Sequence, residues 1–525
     1  MHTIHTSASA TWAATVRMTA LLIAISAPGS LAAEQVSLLD TVKGYADTMI
    51  YRGRDHYGPQ QTWLILSALD RKALEPFPNR LAARPEAPGG VRNGDDRVGD
   101  RGIGPLVGAN PQHDQDLLRL FYALSDLTGI RRYQGVADRE IKWFFTNAAA
   151  PTTHFLAWGE HLFWDTMADE VKSDHYELVH ELSDRWLLWD RCYELAPEPC
   201  RDFALGLWNY QIADHNTGAF DRQVDWARGS RHAGLDFARH GGYFIQTWAA
   251  AYAHTKEETF LQAIEVMLKH FESKRHPKTG LINQSRGAAF AVMTQSLSMA
   301  IDCDWAAGLV PEPLASRLKQ FAAREDEIFC SLPHAPRDRG FLNRVMRATG
   351  LPEQVPESQA QTVYTTPWES RYGGTIPTAV VAMMCVTRYE QTHQPAYRDL
   401  AIAAADAYLT SVPEAEADVW PGTFAQVITT ELAAFRWTQR EVYLERARAL
   451  ADEAVKIFWQ DNPLPRASTK TDHYESITGA PSLALALLEV HAATNHLTLH
   501  IPGAILPTTE DQGGGEGAPR KEQTD

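Results

Sequence analysis

The densest group of polar side chains among aromatic residues in this chain runs from Trp158 to Tyr243. It opens with Trp158-Gly159-Glu160-His161 and continues through His180-Glu181. Imidazole nitrogens and carboxylate oxygens are good ligands for a divalent cation once a fold brings them together. Because His161 and Glu181 are twenty positions apart, they lie on different elements, and a hydrogen-bonded core position is the alternative for each.

The second half of this block is locally basic. Between Asp221 and His240 there are four arginines and two histidines against three aspartates, in a chain whose net charge is −16. Arginine pairs with carboxylates through two parallel hydrogen bonds, so this patch predicts the local capture of an anion. The alternative is that these arginines form ordinary ion pairs with Asp221, Asp225 and Asp236. The acidic balance of the whole chain argues against a nucleic-acid partner.

Length and composition predict a large globular protein, because 44% of the 525 residues are hydrophobic and 22% are charged. The short apolar run Met18 to Ala27 follows Arg17 and ends in small residues at 30–33. This pattern predicts a secretory signal over residues 1–33 and a secreted or periplasmic protein, with a start at Met18 as the alternative. We expect no membrane span, since no other apolar run approaches the required length.

The elements that must position these residues are predicted to be helices. Strand signals are scarce, whereas apolar residues recur every three or four positions in many segments, which predicts an all-α fold. The predicted helical segments include Asp116–Leu127, Tyr133–Phe145, Leu182–Leu195, Gly242–His254, Phe260–Phe271, Ala379–Tyr389, Tyr443–Trp459 and Ser482–Ala492.

Four segments open alike, which indicates an internal repeat. Each has a threonine, then an aromatic residue five positions later and a small residue beyond it; the threonines are Thr128, Thr255, Thr392 and Thr438. This is typical of stacked helical hairpins, and the uneven spacing favours a closed α/α toroid, or barrel, with long rim loops over a linear solenoid. The loops predicted at the rim are Pro76–Pro111 and Ser331–Ser370. We therefore predict one barrel domain over 34–507 and a disordered tail over 508–525.

The segment Asn110 to Gly129, with Gln115 and Leu127-Thr128-Gly129, resembles the family-2 polysaccharide lyases, which are pectate lyases. The likeness continues through Trp158-Gly159-Glu160-His161, His180-Glu181-Leu182 and Asp221-Arg222, and it covers roughly Asp55 to Lys278 with gaps. It implies an α/α-barrel lyase that cleaves the acidic polysaccharide polygalacturonate by β-elimination with a divalent metal in the cleft. By the same resemblance His161 and Glu181 would be metal ligands, and Arg222 would be the base that removes the C5 proton.

One position departs from that family. Where the family has a further metal-binding histidine after the catalytic arginine, this chain has Gln223. An amide oxygen is a weaker ligand that suits harder cations, so Mn²⁺ or Ca²⁺ is expected and the substrate is open to be a uronate polymer other than polygalacturonate. His180, His232 and His240 are candidates to replace the missing histidine.

Arg231, Arg239, Tyr243 and Trp158 are predicted to contact the substrate, through carboxylate pairing or ring stacking on sugar. Tyr243 or a histidine is the alternative base if Arg222 acts only as a cationic clamp.

Two other functions keep the same barrel. One is a glycoside hydrolase using two carboxyl groups among Asp165, Asp221, Asp225 and Glu475. The other is a glycan-binding barrel without activity, for which Gln223 is the main support.

The five cysteines allow two readings. They allow pairs Cys192–Cys200 and Cys303–Cys330 with Cys385 buried, or five reduced thiols.

Overall fold

Helices make up most of the part of the chain that the computed structural model describes, which is residues 37–76, 108–173, 177–282, 288–356, 362–369 and 376–503. The helices are α1 (Leu38–Thr48), α2 (Pro111–Thr128), α3 (Arg132–Asn147), α4 (Trp189–Leu195), α5 (Pro197–Gly206), α6 (Ala238–Thr255), α7 (Glu258–Ser273), α8 (Met293–Ala307), α9 (Leu314–Ser331), α10 (Thr378–Thr392), α11 (Pro395–Tyr408), α12 (Pro421–Thr438), α13 (Glu441–Ala454) and α14 (Ala480–Thr494). Three short π-helical turns follow α1, α5 and α13, at Met49–Gly53, Leu207–Gln211 and Val455–Trp459.

The described strands are short and pair only in twos. They are β1 (Ala68–Leu69), β2 (Leu162–Asp165), β3 (Glu170–Ser173), β4 (Val179–His180), β5 (Ile212–Asp214), β6 (Ala219–Phe220), β7 (Val224–Asp225), β8 (Phe290–Val292), β9 (Arg344–Met346) and β10 (Tyr474–Glu475). The antiparallel pairs are β1 with β10, β2 with β3, β4 with β7, β5 with β6, and β8 with β9. The prediction of an all-α fold is confirmed, and these ribbons lie in its loops.

The helices form an α/α toroid built from hairpins, as predicted. Consecutive helices pack as pairs: α2 with α3, α6 with α7, α8 with α9, α10 with α11, and α12 with α13, while α14 packs on α1. One helix of each pair also contacts its neighbour around a ring, in the order α6, α8, α10, α12, α14, α2. Residues 148–237, with α4, α5 and six of the short strands, span the ring between α2 and α6. Residues of these six ring helices line one central cavity.

The repeated threonine ends a ring helix in all four hairpins. Each of Thr128, Thr255, Thr392 and Thr438 donates its hydroxyl to the carbonyl four residues earlier, at 2.5–2.8 Å, and accepts from the backbone N–H two residues later at 3.3 Å. The next residue is left-handed, with φ between 54° and 73°. The hydroxyl therefore satisfies backbone groups where the helix stops, and the following helix buries Tyr133, Phe260, Tyr397 or Tyr443 completely.

One predicted helix is wrong in part. Of Leu182–Leu195, only Trp189–Leu195 is helical, and residues 182–188 are irregular. Two glutamines of α2 occupy the backbone groups that a helix would have used: Gln112 bonds Ser183 N and Asp184 O, and Gln115 bonds Arg185 O and Leu187 N, at 2.6–3.2 Å. The apolar side chains of this stretch are buried individually from an irregular segment, so their helix-like spacing does not indicate a helix.

Several expectations fall outside the described residues: the signal over 1–33, the tail over 508–525, and residues 77–107 of the first rim loop. Within the described ranges, no helix is both long and apolar enough to cross a membrane. All five cysteines are free thiols, and four of them are buried.

Candidate active site

The central cavity has a volume of about 1050 Å³ and is lined on one side by charged and polar side chains. Among them are Glu160, Arg185, Arg222, Arg239 and Tyr243, which come from the chain between α2 and the first turns of α6. A space of this size holds more than one sugar ring. Part of the polar block that stands out in the sequence therefore faces the cavity at the centre of the toroid.

Strand pairing brings Glu181 to Arg222 across forty residues of chain. In β4 and β7 His180 lies opposite Val224, so Glu181 follows β4 where Arg222 and Gln223 precede β7. Gln211 ties the two strands together: its amide nitrogen donates to Asp221 O at 2.6 Å, and its amide oxygen lies 3.1 Å from His180 Nδ1. Because Gln211 contacts His180 in β4 and Asp221 just before β7, a side chain as well as backbone bonds holds the two short strands together.

His161 is held by a loop that Asn110 fixes to the start of α2. The fully buried Asn110 side chain donates to Gly159 O at 2.8 Å and to Leu162 O at 2.9 Å, and accepts from Gly159 N at 3.3 Å. Gly159 has φ of 97°, and a Cβ there would lie 2.0 Å from Glu181 O, so only glycine lets the two loops approach. Glu160 N then donates to Glu181 O at 2.7 Å, which places His161 beside Glu181.

Glu181 is the centre of the site and has no exposed surface. Its Oε1 accepts from Arg222 Nη1 and lies 3.2 Å from His240 Nε2, and its Oε2 lies 3.3 Å from His161 Nε2. Burial alone would raise the pKa of this carboxyl, but the adjacent imidazoles of His161 and His240 and the charge of Arg222 hold its pKa well below the usual range. The site therefore has an anion at its centre with Arg222 against one oxygen.

His240 is a part of the site whose place the sequence left open. It lies in the first turn of α6, is fully buried, and contacts Glu181 rather than solvent. Burial, together with the charges of Arg239 and Arg222, lowers its pKa to about 4, although Glu181 acts in the opposite direction. His240 is therefore neutral at pH 7. The other candidates differ: His180 stacks on Phe155 and bonds Gln211, and His232 is exposed.

A cation would fit between His161 and Glu181. His161 Nε2 and Glu181 Oε2 lie 3.3 Å apart, a separation at which both atoms could contact one divalent cation. Glu181 Oε2 has no hydrogen bond of good geometry among the described residues. Gln223 would be the third group, since its amide nitrogen lies 3.2 Å from His161 Nε2 and a rotation of the amide would present its oxygen instead.

This donor set is a weak one. Within the described ranges, no three or more His, Cys, Asp or Glu side chains are grouped so as to hold a metal ion. The third position is a neutral amide, so His161, Glu181 and Gln223 suit a cation that accepts oxygen ligands.

The predicted substrate contacts divide into two pairs. Arg239 and Tyr243 lie one turn apart on α6 and line the cavity, and Arg239 Nε has no hydrogen-bond partner among the described residues. The stacking role of Trp158 is wrong, because this ring has no exposed surface and packs against Phe144, Phe145, Trp186 and Phe203.

Arg231 is exposed and does not line the cavity. Although Arg231 is close to Arg222 and Arg239 in the sequence, it does not lie in their site.

Arg185 is a cavity residue that the sequence argument missed. Its Nε lies 3.1 Å from Asp302 Oδ1 and its Nη2 donates to Ser298 Oγ at 2.8 Å. Burial raises the pKa of Asp302 to about 7, against the charge of Arg185. Because Arg185 lies in the stretch that was predicted to be helical, only the irregular path of residues 182–188 brings it to the cavity.

The carboxyl groups considered for hydrolysis are engaged elsewhere. Asp165, Asp221 and Asp225 each accept hydrogen bonds from backbone N–H groups two or three residues later, so they cap turns. Glu475 is buried with its Oε2 2.9 Å from His473 Nε2. None of the four lines the cavity.

Comparison with known proteins gives a partial match to one family. A family model described as periplasmic pectate lyase matches residues 105–285. The pectate disaccharide-lyase of Dickeya dadantii (strain 3937) is 26% identical over 157 residues, which are 30% of this chain. The chain spans 26% of that protein's length.

Solved structures with a similar fold share little sequence. A D-mannose isomerase has a TM-score of 0.46 at 12% identity and covers 67% of this chain and 96% of its own. An unsaturated glucuronyl hydrolase specific for heparin has a TM-score of 0.43 at 11% identity, over 88% of this chain and 98% of its own.

The residues 105–285 that match the family model contain His161, Glu181, Arg222 and Gln223. Over this stretch the chain is similar to the periplasmic pectate lyases, as its motifs indicated.

Proposed function

We propose that this protein is a polysaccharide lyase that cleaves a uronic-acid polymer by β-elimination. The observation that carries the proposal is Arg222 on the wall of the central cavity, backed by the buried Glu181 and His161, within the stretch that is similar to pectate lyases. The curated relative, a pectate disaccharide-lyase, supports a polymer of galacturonate type.

The reaction needs a base at C5 and a positive field at the adjoining carboxylate. The C5 proton passes to the base in its neutral form, the C4–O4 bond breaks, a C4–C5 double bond forms, and the departing O4 takes a proton from water. The protonated base then returns its proton to the hydroxide that is left, which restores both. Negative charge builds on the uronate carboxylate as the proton leaves, so cations placed there stabilise the transition state. Arg239 lines the cavity with an unpartnered Nε, and it is the residue we assign to that carboxylate.

Arg222 is the residue we assign as the base, with Glu181 and Phe237 as its supports. Its guanidinium carbon lies 4.7 Å from the centre of the Phe237 ring, and its Nη1 donates to Glu181 Oε1, so the side chain is oriented on two sides. Only 19% of the side chain is exposed, and it is exposed toward the cavity. A group held in this way can meet a C5 proton without reorganising.

A divalent cation, Mn²⁺ or Ca²⁺, would be held by His161, Glu181 and Gln223. When bound it would supply positive charge that neutralises the carboxylate next to C5. His240 binds the other oxygen of Glu181, so it orients the carboxylate rather than replacing the missing histidine as a ligand.

We also propose that the protein is exported. The family model that matches is described as periplasmic, and residues 1–33 have the pattern of a secretory signal. Fractionation of cells that express the full chain tests this, since retention in the cytoplasm at full length contradicts it.

The experiment that tests the activity measures two products at once. Incubation with polygalacturonate is expected to raise ultraviolet absorbance, because elimination creates a double bond conjugated with the carboxylate, in step with new reducing ends. New reducing ends without absorbance would indicate a hydrolase and overturn the proposal. Binding without either product, with polymers of several uronates, would indicate a glycan-binding barrel.

A further inference from the structure

The cavity has an apolar wall opposite in character to its catalytic wall. On α10, Val380, Met383, Met384 and Thr387 line the cavity and are all partly exposed. Their spacing of three and four residues places them on one face of the helix. The helix therefore presents to the cavity three apolar side chains and a threonine in a continuous stripe.

A second ring helix shows that this stripe is not a general property of the toroid. On α2 the residues at the same relative spacing are Gln112, Gln115, Asp116 and Arg119, and they line the same cavity. All four are polar, and Asp116 pairs with Arg119 at 2.6 Å. Two helices of one ring thus offer the ligand surfaces of opposite polarity at matched positions.

The apolar wall continues beyond α10. Phe290 and Val292 of β8 and Ile376, just before α10, also line the cavity and are partly exposed. Arg344 lies beside them, but its guanidinium carbon lies 4.0 Å from the centre of the Phe290 ring, and its Nε is 2.6 Å from Glu353 Oε2. The charge of this arginine is therefore compensated by the protein itself rather than offered to a ligand.

A bare uronate polymer is a poor match for this wall. Each of its residues carries a hydrated carboxylate, and setting such a group against apolar side chains without a partner costs free energy. Flat CH faces of sugars are met by flat aromatic rings, whereas valine and methionine fit small and irregular apolar groups. The methyl of a methyl ester and the acetyl of an acetate ester are small apolar groups of this kind. Methyl esterification removes the charge of the carboxylate, and acetylation replaces the hydroxyl proton.

We propose that the substrate is a uronate polymer carrying small ester groups, methyl on carboxyls or acetyl on hydroxyls, and that the α10 stripe binds those groups beside the cleaved bond. This rests on the proposed lyase function and adds the substitution pattern of its substrate. Arg239 takes the carboxylate of an unesterified uronate at the reacting position, where Arg222 meets C5, while α10 takes esterified neighbours. Specificity then comes from one wall that binds a charged group and another that binds an uncharged, apolar group.

The test compares three polygalacturonates of equal length distribution: bare, half methyl-esterified and half acetylated. The wild-type protein is expected to show a higher kcat/KM, measured by ultraviolet absorbance, on an esterified form than on the bare one. The double variant Met383→Gln with Met384→Gln is expected to lose this preference, by about fourfold for each methyl group that the wall removes from water. The esterified polymer whose higher kcat/KM is lost in this variant identifies the bound ester as methyl or acetyl.

Two variants serve as controls. Met383→Leu with Met384→Leu keeps the wall apolar and is expected to retain the preference, which excludes a general effect of altering α10. Val412→Gln removes an apolar side chain that is 61% exposed outside the cavity, and it is expected to leave both rates unchanged. Thermal denaturation shows whether each variant folds.

The outcomes separate this inference from the function on which it rests. A wild-type preference for the bare polymer, or an equal loss on all three polymers in the glutamine variant, overturns the inference while leaving the lyase intact. If no polymer yields the unsaturated product, the lyase proposal fails, and calorimetric binding of the three polymers decides the inference independently. Tighter binding of an esterified form, lost in the glutamine variant, then supports it, and equal binding rejects it.

Discussion

Replacing Arg222 with lysine separates a catalytic arginine from an ordinary ion pair. Lysine keeps a cation beside Glu181 but loses the planar guanidinium that faces Phe237 at 4.7 Å. The lost cation–π contact is worth about 0.5–1 kcal/mol, and for a protein of this size that lowers the melting temperature by about 2 °C or less. We therefore expect Arg222→Lys to fold nearly as well as the parent protein.

Turnover is expected to respond far more strongly than stability. A positioned base typically contributes a factor of about 10²–10⁴ to the rate. As the proposed base, Arg222 would act in the transition state, so we expect kcat to fall by this factor while KM changes little. The assay is the initial rate of ultraviolet absorbance on polygalacturonate, with a melting curve of the same preparation.

The control is Arg228→Lys, because Arg228 is an arginine of the same loop whose side chain is 67% exposed and lies 3.6 Å from Asp225. It is expected to change stability by no more than about 0.5 kcal/mol and turnover not at all. Near-normal turnover in Arg222→Lys, with the unsaturated product still formed, would refute our reasoning and leave Tyr243 or a histidine as the base. An equal loss in both variants would show that the loop, rather than this guanidinium, was disturbed.

Three further changes test the site and its support. Asn110→Ala removes three hydrogen bonds from the loop that holds His161. We expect a loss of about 2–4 kcal/mol in the free energy of unfolding, measured with urea, together with reduced turnover. A folded variant of parental stability would contradict the role of Asn110. Titration of the chelated protein with Mn²⁺ and Ca²⁺ is expected to show binding weakened at least about tenfold by His161→Ala and tightened by Gln223→His; unchanged affinity in both variants would remove these residues from the metal site. Burial raises the pKa of Asp114 to about 7, although Ser67 donates a hydrogen bond to it. Because this raised pKa means that the folded state holds the proton more tightly, stability is expected to fall as the pH rises from about 4 to about 7, by up to about 4 kcal/mol from this group. Asp114→Asn should remove this group's share of the slope and leave that of other buried carboxyls such as Asp302. Urea denaturation at pH 5 and pH 8 that shows the same slope in both proteins would contradict the assignment.

Local sequence was sufficient to predict the hairpins of the toroid. A helix end depends on groups within a few residues, so the threonine that closes α2, α6, α10 and α12 acts in the same way wherever it occurs. The aromatic residue that follows is buried in every case because the next helix packs back on the first. Apolar periodicity therefore predicted a helix correctly where the packing of that helix's own apolar face stabilises it. It was wrong over 182–188, because glutamines of another helix bind the backbone there.

The residue types of the site were readable from the chain, but their grouping was not. His161, Glu181, Arg222 and Gln223 were identified by their order and by resemblance to a family, since twenty or more residues separate the first three from one another. Their meeting depends on the pairing of β4 with β7 and on Asn110, which are contacts over distances that no local pattern encodes. For the same reason the sequence could not choose among His180, His232 and His240, missed Arg185 and misplaced the fully buried Trp158.

The sequence by itself determined that the chain is helical, built from repeated hairpins, and equipped with imidazole, carboxylate and guanidinium groups suited to acidic sugars. Which of those groups face the cavity was decided only by the tertiary structure, because burial and proximity depend on how distant segments pack. A stripe such as Val380, Met383 and Met384 has the same periodicity as any core face. Only the closed ring, which leaves that face open to the cavity instead of covering it with another helix, makes it a surface for a ligand.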